Sequence, residues 1–392
     1  MKKFIESISN VWKIEELKNR ILITLGLLLV YRFGAHVTLP GIDATQLTGL
    51  AGQTKNGLGS ILDMFTGGAF SKASVFALGI MPYISASIVV QLMGIAIPYL
   101  QKLQNDGESG RKKINQITRW LTIAITLVQG PTYIYNLYRT LPGSAFLLGF
   151  NSPEFLFSSV IILVTGTIFA MWLGEKITDK GIGNGISLLI MVGILARLPQ
   201  AFIQEFTTRV TNNNGGPMLL VIEIIVWLLV IISCVLLTMA VRRIPVQYAR
   251  RTTTGDYEQD LAGGNRQWIP LKLNASGVMP IIFAQAIMFI PAAVAGLSKS
   301  ETSQSIVGTF SNMFGFWYNF VFATLIIVFT FFYTAITVPT NKMADDLKRS
   351  GGFIPGVRPG AETSDFLDKV MSLITFPGSL FLALIAVFPA IV

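Results

Sequence analysis

Apolar stretches of about 20 residues, the length of a helix that crosses a bilayer, alternate with polar connections along the chain. This pattern predicts nine membrane-spanning helices. They are expected at residues 21–38, 74–97, 117–137, 155–173, 183–203, 217–240, 275–297, 317–338 and 370–391. Residues 1–20 place apolar side chains at helical spacing between lysines, which indicates a cytoplasmic interfacial amphipathic helix. An ordinary solvated leader is the alternative.

The distribution of basic residues orients these spans. With a cytoplasmic N-terminus, 23 of the 30 Lys and Arg residues fall on the cytoplasmic side, as the positive-inside rule requires. They form groups of five, five, two, six and five, in the leader and at residues 102–119, 176–180, 242–272 and 342–369.

Two of the cytoplasmic loops, residues 241–273 and 339–369, are long and polar, which is typical of functional loops. Alternating apolar residues around Val246 predict a β-hairpin in the first loop, with its turn at residues 254–256. A role restricted to setting the membrane topology is the alternative for both loops.

The number of spans is odd, so the chain would end on the outer face directly after an apolar run. This ending predicts that a tenth span is absent from this chain. Polar, Asn- and Gly-rich residues at 205–217 separate the first five spans from the others. We therefore expect an N-terminal half at 21–205 and a C-terminal half at 206–392, which would be inverted relative to each other if each held five spans.

Composition excludes several classes of protein. Of the residues, 52% are hydrophobic and only 13% are charged, whereas soluble domains carry about 25% charged residues. One Cys and one His exclude an internal disulfide and a multi-His metal site. No Walker A sequence or catalytic constellation is present, so neither an enzyme nor a cofactor is expected. The formal net charge of +9 indicates an acidic partner, an acidic lipid surface or nucleic acid.

Residues 57–96 differ from the other apolar segments. A short amphipathic piece ends at Gly67 and Gly68, and a span with a Gly-Ile-Met-Pro-Tyr run follows it. A half-length helix before an interrupted span is typical of backbone that lines a cavity rather than lipid. Arg32, near the outer end of the first span, is either a functional residue or, as we expect, a side chain that snorkels to the interface.

Isoleucines recur at mid-span in three of the predicted helices. Two pairs are four residues apart, so the members of each pair share one helix face. In the seventh span, Pro280 lies two residues before the isoleucine. The set comprises Ile80, Ile84, Ile186, Ile190 and Ile282. Periodicity alone indicates only core or lipid-facing positions.

Six motifs resemble the SecY/Sec61α family of protein-conducting channels and occur in that family's order. They are GIMPYISASIVVQL, GESGRKKINQITRW, GIGNGIS, IPVQYARR, LKLNASGVMPIIFA and KRSGGFIPGVRPG. The resemblance implies an all-α polytopic membrane protein with a ten-span fold made of two inverted five-helix halves. On this resemblance, the tenth span of that fold is expected to be absent from this chain.

The resemblance also implies roles for particular residues. The five isoleucines match an apolar pore ring, and the second and seventh spans match the two sides of a lateral gate. Residues 57–72 match a plug, in which Ile61, Leu62, Met64 and Phe65 would seal the pore by apolar contact and leave it without breaking salt bridges. Glycines at 57, 59, 67 and 68 would serve as hinges. The two long loops match docking loops for a motor or ribosome, with Arg358, Arg250, Arg251, Lys348 and Arg349 as docking residues.

The implied function is that of the central channel subunit, which translocates unfolded secretory polypeptides across the bacterial plasma membrane and inserts membrane proteins laterally. The implied partners are SecE, SecG, the SecA motor, the ribosome, signal sequences, nascent polypeptides and anionic lipids. The energy would come from such a partner, since the chain is not itself an enzyme. A secondary transporter or lipid flippase with inverted repeats is the alternative, although the spans lack a convincing polar site at mid-depth.

Overall fold

The fold is known from a computed structural model that describes residues 12–47, 63–147, 152–211, 216–248, 267–285, 287–288 and 315–391. Contacts between residues divide the chain into two compact units, Met1–Asn214 and Gly215–Val392. Each unit has a helical framework of its own.

The first unit contains seven α-helices among its described residues. They are α1 (Glu15–Gly34), α2 (Met81–Ala96), α3 (Pro98–Asn105), α4 (Gly107–Thr140), α5 (Pro153–Lys180), α6 (Gly185–Leu195) and α7 (Leu198–Phe206). Four of them, α2, α3, α5 and α7, have a proline in their first two positions, where the missing backbone N–H costs no hydrogen bond. The Asn184 side chain caps α6 by accepting from the Ser187 backbone N–H at 3.1 Å.

The connection between α1 and α2 is fixed to the helices around it. The Leu39 N–H donates to the Ala73 carbonyl at 2.8 Å, and the Val75 N–H donates to the Val37 carbonyl at 2.9 Å. Phe70 enters a hydrophobic core shared with α4, where the Tyr133 hydroxyl donates to the Phe70 carbonyl at 2.8 Å. These contacts hold the backbone just before α2 in one place.

The second unit combines long helices with a small sheet. Its described helices are α8 (Gly216–Met239), α9 (Phe316–Thr337), α10 (Thr340–Arg349) and α11 (Ala361–Ile391). Helical residues are also described at 279–285 and 287–288. Its strands are β1 (Val241–Tyr248), β2 (Gln267–Lys272) and β3 (Gly352–Phe353), in the order β2-β1-β3. Both pairings are antiparallel, with Ile244 opposite Ile269 and Gln247 opposite Phe353.

Five helical segments in the described part of the chain are long and apolar enough to cross a membrane. They are Pro153–Lys180, Gly185–Val210, Met218–Met239, Phe316–Arg349 and Ala361–Ala390. Met81–Gly94 and Pro98–Gln104 pass the same test together, with an angle of 105° between them.

The start of the second predicted span and the all-α fold class both differ from the sequence-based expectations. The span expected at 74–97 becomes helical only at Met81, because positive φ at Gly79 ends the preceding turn and Pro82 starts the helix. The all-α expectation is also incomplete, because the chain contains a three-stranded sheet in which β3 pairs with the free edge of β1 in the predicted hairpin. The predicted hairpin turn at 254–256 and most of the predicted leader helix lie outside the described residues.

Candidate functional site

The end of the predicted plug occupies a defined position in the first unit. Residues 63–68 are called the plug base here. Asp63 is 1% exposed, Met64 is exposed and Phe65 is half-buried. Ile61 and Leu62, the other two predicted plug residues, lie outside the described part of the chain.

Two glycines allow the plug base to approach its neighbours closely, one in α6 and one in the segment before α2. A Cβ atom on Gly193 of α6 would lie 2.7 Å from the Phe65 carbonyl oxygen. A Cβ atom on Gly79, just before α2, would lie 2.9 Å from Cγ2 of Thr66. The plug base is therefore packed between α6 and the segment that leads into α2.

A buried carboxylate anchors this plug base. Asp63 Oδ1 accepts the Ser71 backbone N–H at 2.8 Å. Asp63 Oδ2 accepts from Arg197 Nη2 in an ion pair that joins the plug base to the start of α7. The expectation that the plug leaves without breaking a salt bridge is therefore wrong, because it considered only the apolar plug residues.

Arg32 also contacts the plug base. Its Nη1 donates to the Gly67 carbonyl oxygen at 2.8 Å, and its side chain is half-buried. This contact favours the other interpretation of Arg32, a functional residue within the protein, over snorkelling. Desolvation by burial lowers the pKa of nearby Lys72, the charges of Arg32 and Arg197 lower it further, and the charge of Asp63 opposes them. Lys72 therefore lies close enough to both arginines and to Asp63 to interact with them electrostatically.

Four of the predicted ring isoleucines belong to the first unit. Ile80 and Ile84 are 4% and 7% exposed, and the Ile84 N–H donates to the Ile80 carbonyl at 3.0 Å at the start of α2. Ile186 and Ile190 are half-buried on α6. Both pairs therefore lie on the two elements that flank the plug base.

Ile186 and Ile282 pack against different neighbours. Ile186 lies close to Gly174 of α5, since a Cβ atom on that glycine would be 2.9 Å from Ile186 Cγ1. Ile282, the fifth predicted ring residue, is half-buried among the helical residues 279–285 of the second unit. The next residue, Phe283, stacks on Phe329 of α9 with ring centroids 5.6 Å apart.

The two long loops of the second unit form one body, which we call the loop module (β1, β2, α10, β3 and residues 354–371, which include the start of α11). The backbone pairing of β1 with β3 joins the first loop to the second. A hydrophobic core lies beneath this sheet and includes Ile244, Val246, Leu271, Leu347, Ile354, Leu367 and Met371. The Thr340 hydroxyl donates to Asp368 Oδ1 at 2.7 Å and fixes the start of α10 to α11.

Three of the five predicted docking residues are described, and all three are exposed. Lys348 and Arg349 form the last turn of α10. The Arg358 side chain is 87% exposed, and its Nη1 lies 3.7 Å from Glu362 Oε1. Arg250 and Arg251 lie outside the described residues. The loop module therefore presents cationic side chains that are open to a partner.

Sequence reasoning missed Asp63 and Arg197 as residues of the candidate site. One signal was available, because Asp63 is the only acidic residue between Asp43 and Asp106, in an otherwise apolar and small-residue region. A lone carboxylate near membrane spans needs a cation or hydrogen-bond donors. Nothing in the local pattern identified Arg197, 134 residues away, as that cation.

A family model described as SecY matches residues 74–392 of this chain. The chain belongs to the SecY family. It is 41% identical over 379 residues to the protein translocase subunit SecY of Haemophilus influenzae, covering 96% of this chain and 84% of that protein. Its identity with the Thermotoga maritima subunit is 38% over 397 residues, covering 99% of this chain and 88% of that protein.

Solved channel structures share the fold of this SecY-family chain. One, described as a protein-conducting channel, aligns with a TM-score of 0.60 at 18% identity, covering 94% of this chain and 84% of that one. Another comes from a study of a SecY plug domain that stabilises the closed state of its translocation channel. It aligns with a TM-score of 0.61 at 18% identity, covering 95% of this chain and 85% of that one.

Proposed function

We propose that this chain is the central subunit of a protein-conducting channel that translocates unfolded secretory polypeptides and releases membrane segments laterally into the bilayer. The observation that carries the proposal is the plug base, which is held between α6 and the start of α2 by Asp63, Arg197 and Arg32. A short segment fixed among helices that can span a membrane is suited to closing a pore. Its relatives are named protein translocase subunits, which supports the same function.

The pore ring follows from the positions of the isoleucines next to the plug base. Ile80, Ile84, Ile186 and Ile190 lie on the two elements that flank it, and Ile282 is proposed as the fifth member. An apolar constriction is poorly wetted and resists ion flow. It also accepts an extended chain of any sequence, because it requires no particular hydrogen-bond partner.

The larger architecture is proposed to be the ten-span arrangement of two inverted halves, divided near residues 205–217. The second and seventh predicted spans would form the lateral gate. A signal sequence that passes through this gate gains apolar transfer free energy of about 25 cal/mol per Å² of surface removed from water. The predicted distribution of basic residues supports a cytoplasmic N-terminus in the bacterial plasma membrane.

The loop module is proposed to dock the partner that supplies the energy, because no catalytic constellation is evident in the sequence. Exposed Lys348, Arg349 and Arg358 can bind an acidic surface of a SecA-like motor, or the phosphates of ribosomal RNA. One solved relative of the fold is Sec61 in a canine ribosome-channel complex, with a TM-score of 0.53. SecE, SecG and anionic lipids are proposed as further partners.

The alternative of a secondary transporter or lipid flippase is not favoured. Such a carrier needs a polar binding site at mid-depth. Ile80 and Ile84, next to the plug base, are instead apolar and buried, and membership of the SecY family also argues for the channel.

Cross-linking to a stalled translocating chain tests the channel function. Cysteine would replace Ile84 or Ile190 after Cys234→Ser has removed the native thiol. Adducts are expected at both positions only while a polypeptide is stalled. The control is Val128→Cys on α4, where Val128 is 73% exposed. Adducts at Val128 but at neither isoleucine would contradict the proposed pore.

A further inference from the structure

The ion pair at the plug base joins two parts of the first unit that are 134 residues apart. The Asp63 side chain is 1% exposed, and both of its carboxylate oxygens have partners within the protein. An enclosed carboxylate without its cation is strongly unfavourable. The ion pair with Arg197 therefore stabilises Asp63 in its buried position.

The two members of the pair differ in their access to water. The Arg197 side chain is 39% exposed, whereas that of Asp63 is enclosed. Water can thus hydrate the guanidinium in place of the carboxylate when the plug base moves. The free energy needed to separate this partly exposed ion pair is therefore lower than for a fully enclosed one. Arg197 also lies at the start of α7, directly after the break that ends α6, so the pair connects the plug to a helix boundary.

The other contacts of the plug base are weaker than this ion pair. Arg32 holds it through the neutral Gly67 carbonyl. The contact between Phe65 and Gly193 is one of close packing. The ion pair is thus the only contact between two charged groups that the described residues of the plug base make with a helix.

We propose that Asp63 and Arg197 form a releasable clasp, which holds the plug base in the resting channel and separates when the plug moves aside. The strength of this pair then sets both the ion leak of the resting channel and the threshold at which a signal sequence opens it. This inference rests on the proposed channel function, of which it describes the regulation. Arg197 acts as a positioning residue for the plug.

Neutralising Arg197 tests the clasp in the full channel complex reconstituted into vesicles. Arg197→Gln is expected to raise the resting ion flux about tenfold, less than for a fully enclosed pair because water screens Arg197. Arg197→Lys keeps the charge and is expected to restore a tight channel, which a role in packing alone would not predict. The matched control is Arg209→Gln, which removes an arginine from an i,i+4 pair with Glu205. Equal flux in Arg197→Gln and Arg209→Gln would overturn the clasp.

A covalent version of the pair tests whether it must separate. Asp63→Cys and Arg197→Cys would be combined in the Cys234→Ser background. A bifunctional methanethiosulfonate reagent long enough to replace the arginine side chain is expected to cross-link the two cysteines and stop translocation, and a reductant is expected to restore it. Normal translocation through the cross-linked channel would overturn the proposal.

Failure of the clasp is distinguishable from failure of the channel function. If the unmodified complex moves no polypeptide and Ile84→Cys gives no adduct with a stalled chain, the channel function itself fails. If both of these assays succeed while Arg197→Gln leaves the resting flux and the signal-sequence threshold unchanged, only the clasp fails.

Discussion

Gly67 and Gly193 meet backbone to backbone, because a Cβ atom on Gly67 would lie 2.9 Å from both the Cα and the carbonyl oxygen of Gly193. Gly67 also has a φ of +65°, which L-residues with a side chain rarely adopt. The position of the plug base therefore depends on the absence of side chains at two sites that are far apart in sequence.

Gly193→Ala tests this close approach. The added methyl group would lie 2.7 Å from the Phe65 carbonyl oxygen, so the plug base has to shift. Overpacking of about 1–3 kcal/mol shifts the equilibrium of the plug base by about 5- to 150-fold, so we expect at least about a fivefold rise in resting ion flux. The control is Gly26→Ala in α1, where a Cβ atom meets nothing within 4 Å. An equally tight channel in both variants would show that the contact does not hold the plug.

Deleting residues 58–66 tests the plug as a whole. The deletion removes Asp63 together with the apolar residues proposed to seal the pore. We expect a higher resting ion conductance and export of precursors with defective signal sequences, while precursors with normal signals are still translocated. Conductance of single channels and export of matched precursor pairs are the measurements. A tight and fully selective channel after the deletion would contradict the proposed role.

Arg358→Glu tests docking at the loop module. The Arg358 side chain is 87% exposed and lies 3.7 Å from Glu362, so the substitution leaves the core beneath it intact. We expect loss of motor-driven translocation with normal membrane assembly, measured by precursor uptake into inverted vesicles. Arg139→Glu, the same charge reversal beside Tyr135 in the first unit, serves as the control. Unchanged uptake with Arg358→Glu would refute docking at this residue.

Leu367→Ala tests whether the loop module depends on its own core. Leu367 is 1% exposed, whereas Leu373 on the same helix is 67% exposed. Removing a buried leucine side chain costs about 3 kcal/mol, and removing an exposed one costs far less. Leu367→Ala, but not Leu373→Ala, is expected to speed proteolysis within residues 340–360. Equal proteolysis of the two variants would contradict a shared core.

The sequence predicts the helices well where hydropathy and helix length coincide. Residues 217–240 and 317–338 were expected as spans, and the structure has α8 and α9 within one residue of them. Hydropathy fails at residues 74–80, because a buried turn and a buried helix are equally apolar. Gly79 and Pro82 were the local signals that the helix begins late, at Met81.

The candidate site was predicted only in part, because its polar contacts join residues far apart in the chain. The isoleucines and Met64 follow from the resemblance to a family, whereas the ion pair of Asp63 with Arg197 needs the fold. The same reason applies to β3, a strand of two residues that is too short to have a pattern of its own. It forms because Gln247 and Tyr248 offer it an open strand edge.

The pairing of β1 with β3 has a mechanical consequence. β1 begins two residues after α8 ends, α10 begins three residues after α9 ends, and the second loop runs on into α11. A partner that pulls on Arg358 therefore pulls on the loop module, which is connected to α8, α9 and α11. Force applied at this one arginine is therefore distributed over three helices of this unit, and is not borne by a single unpaired loop.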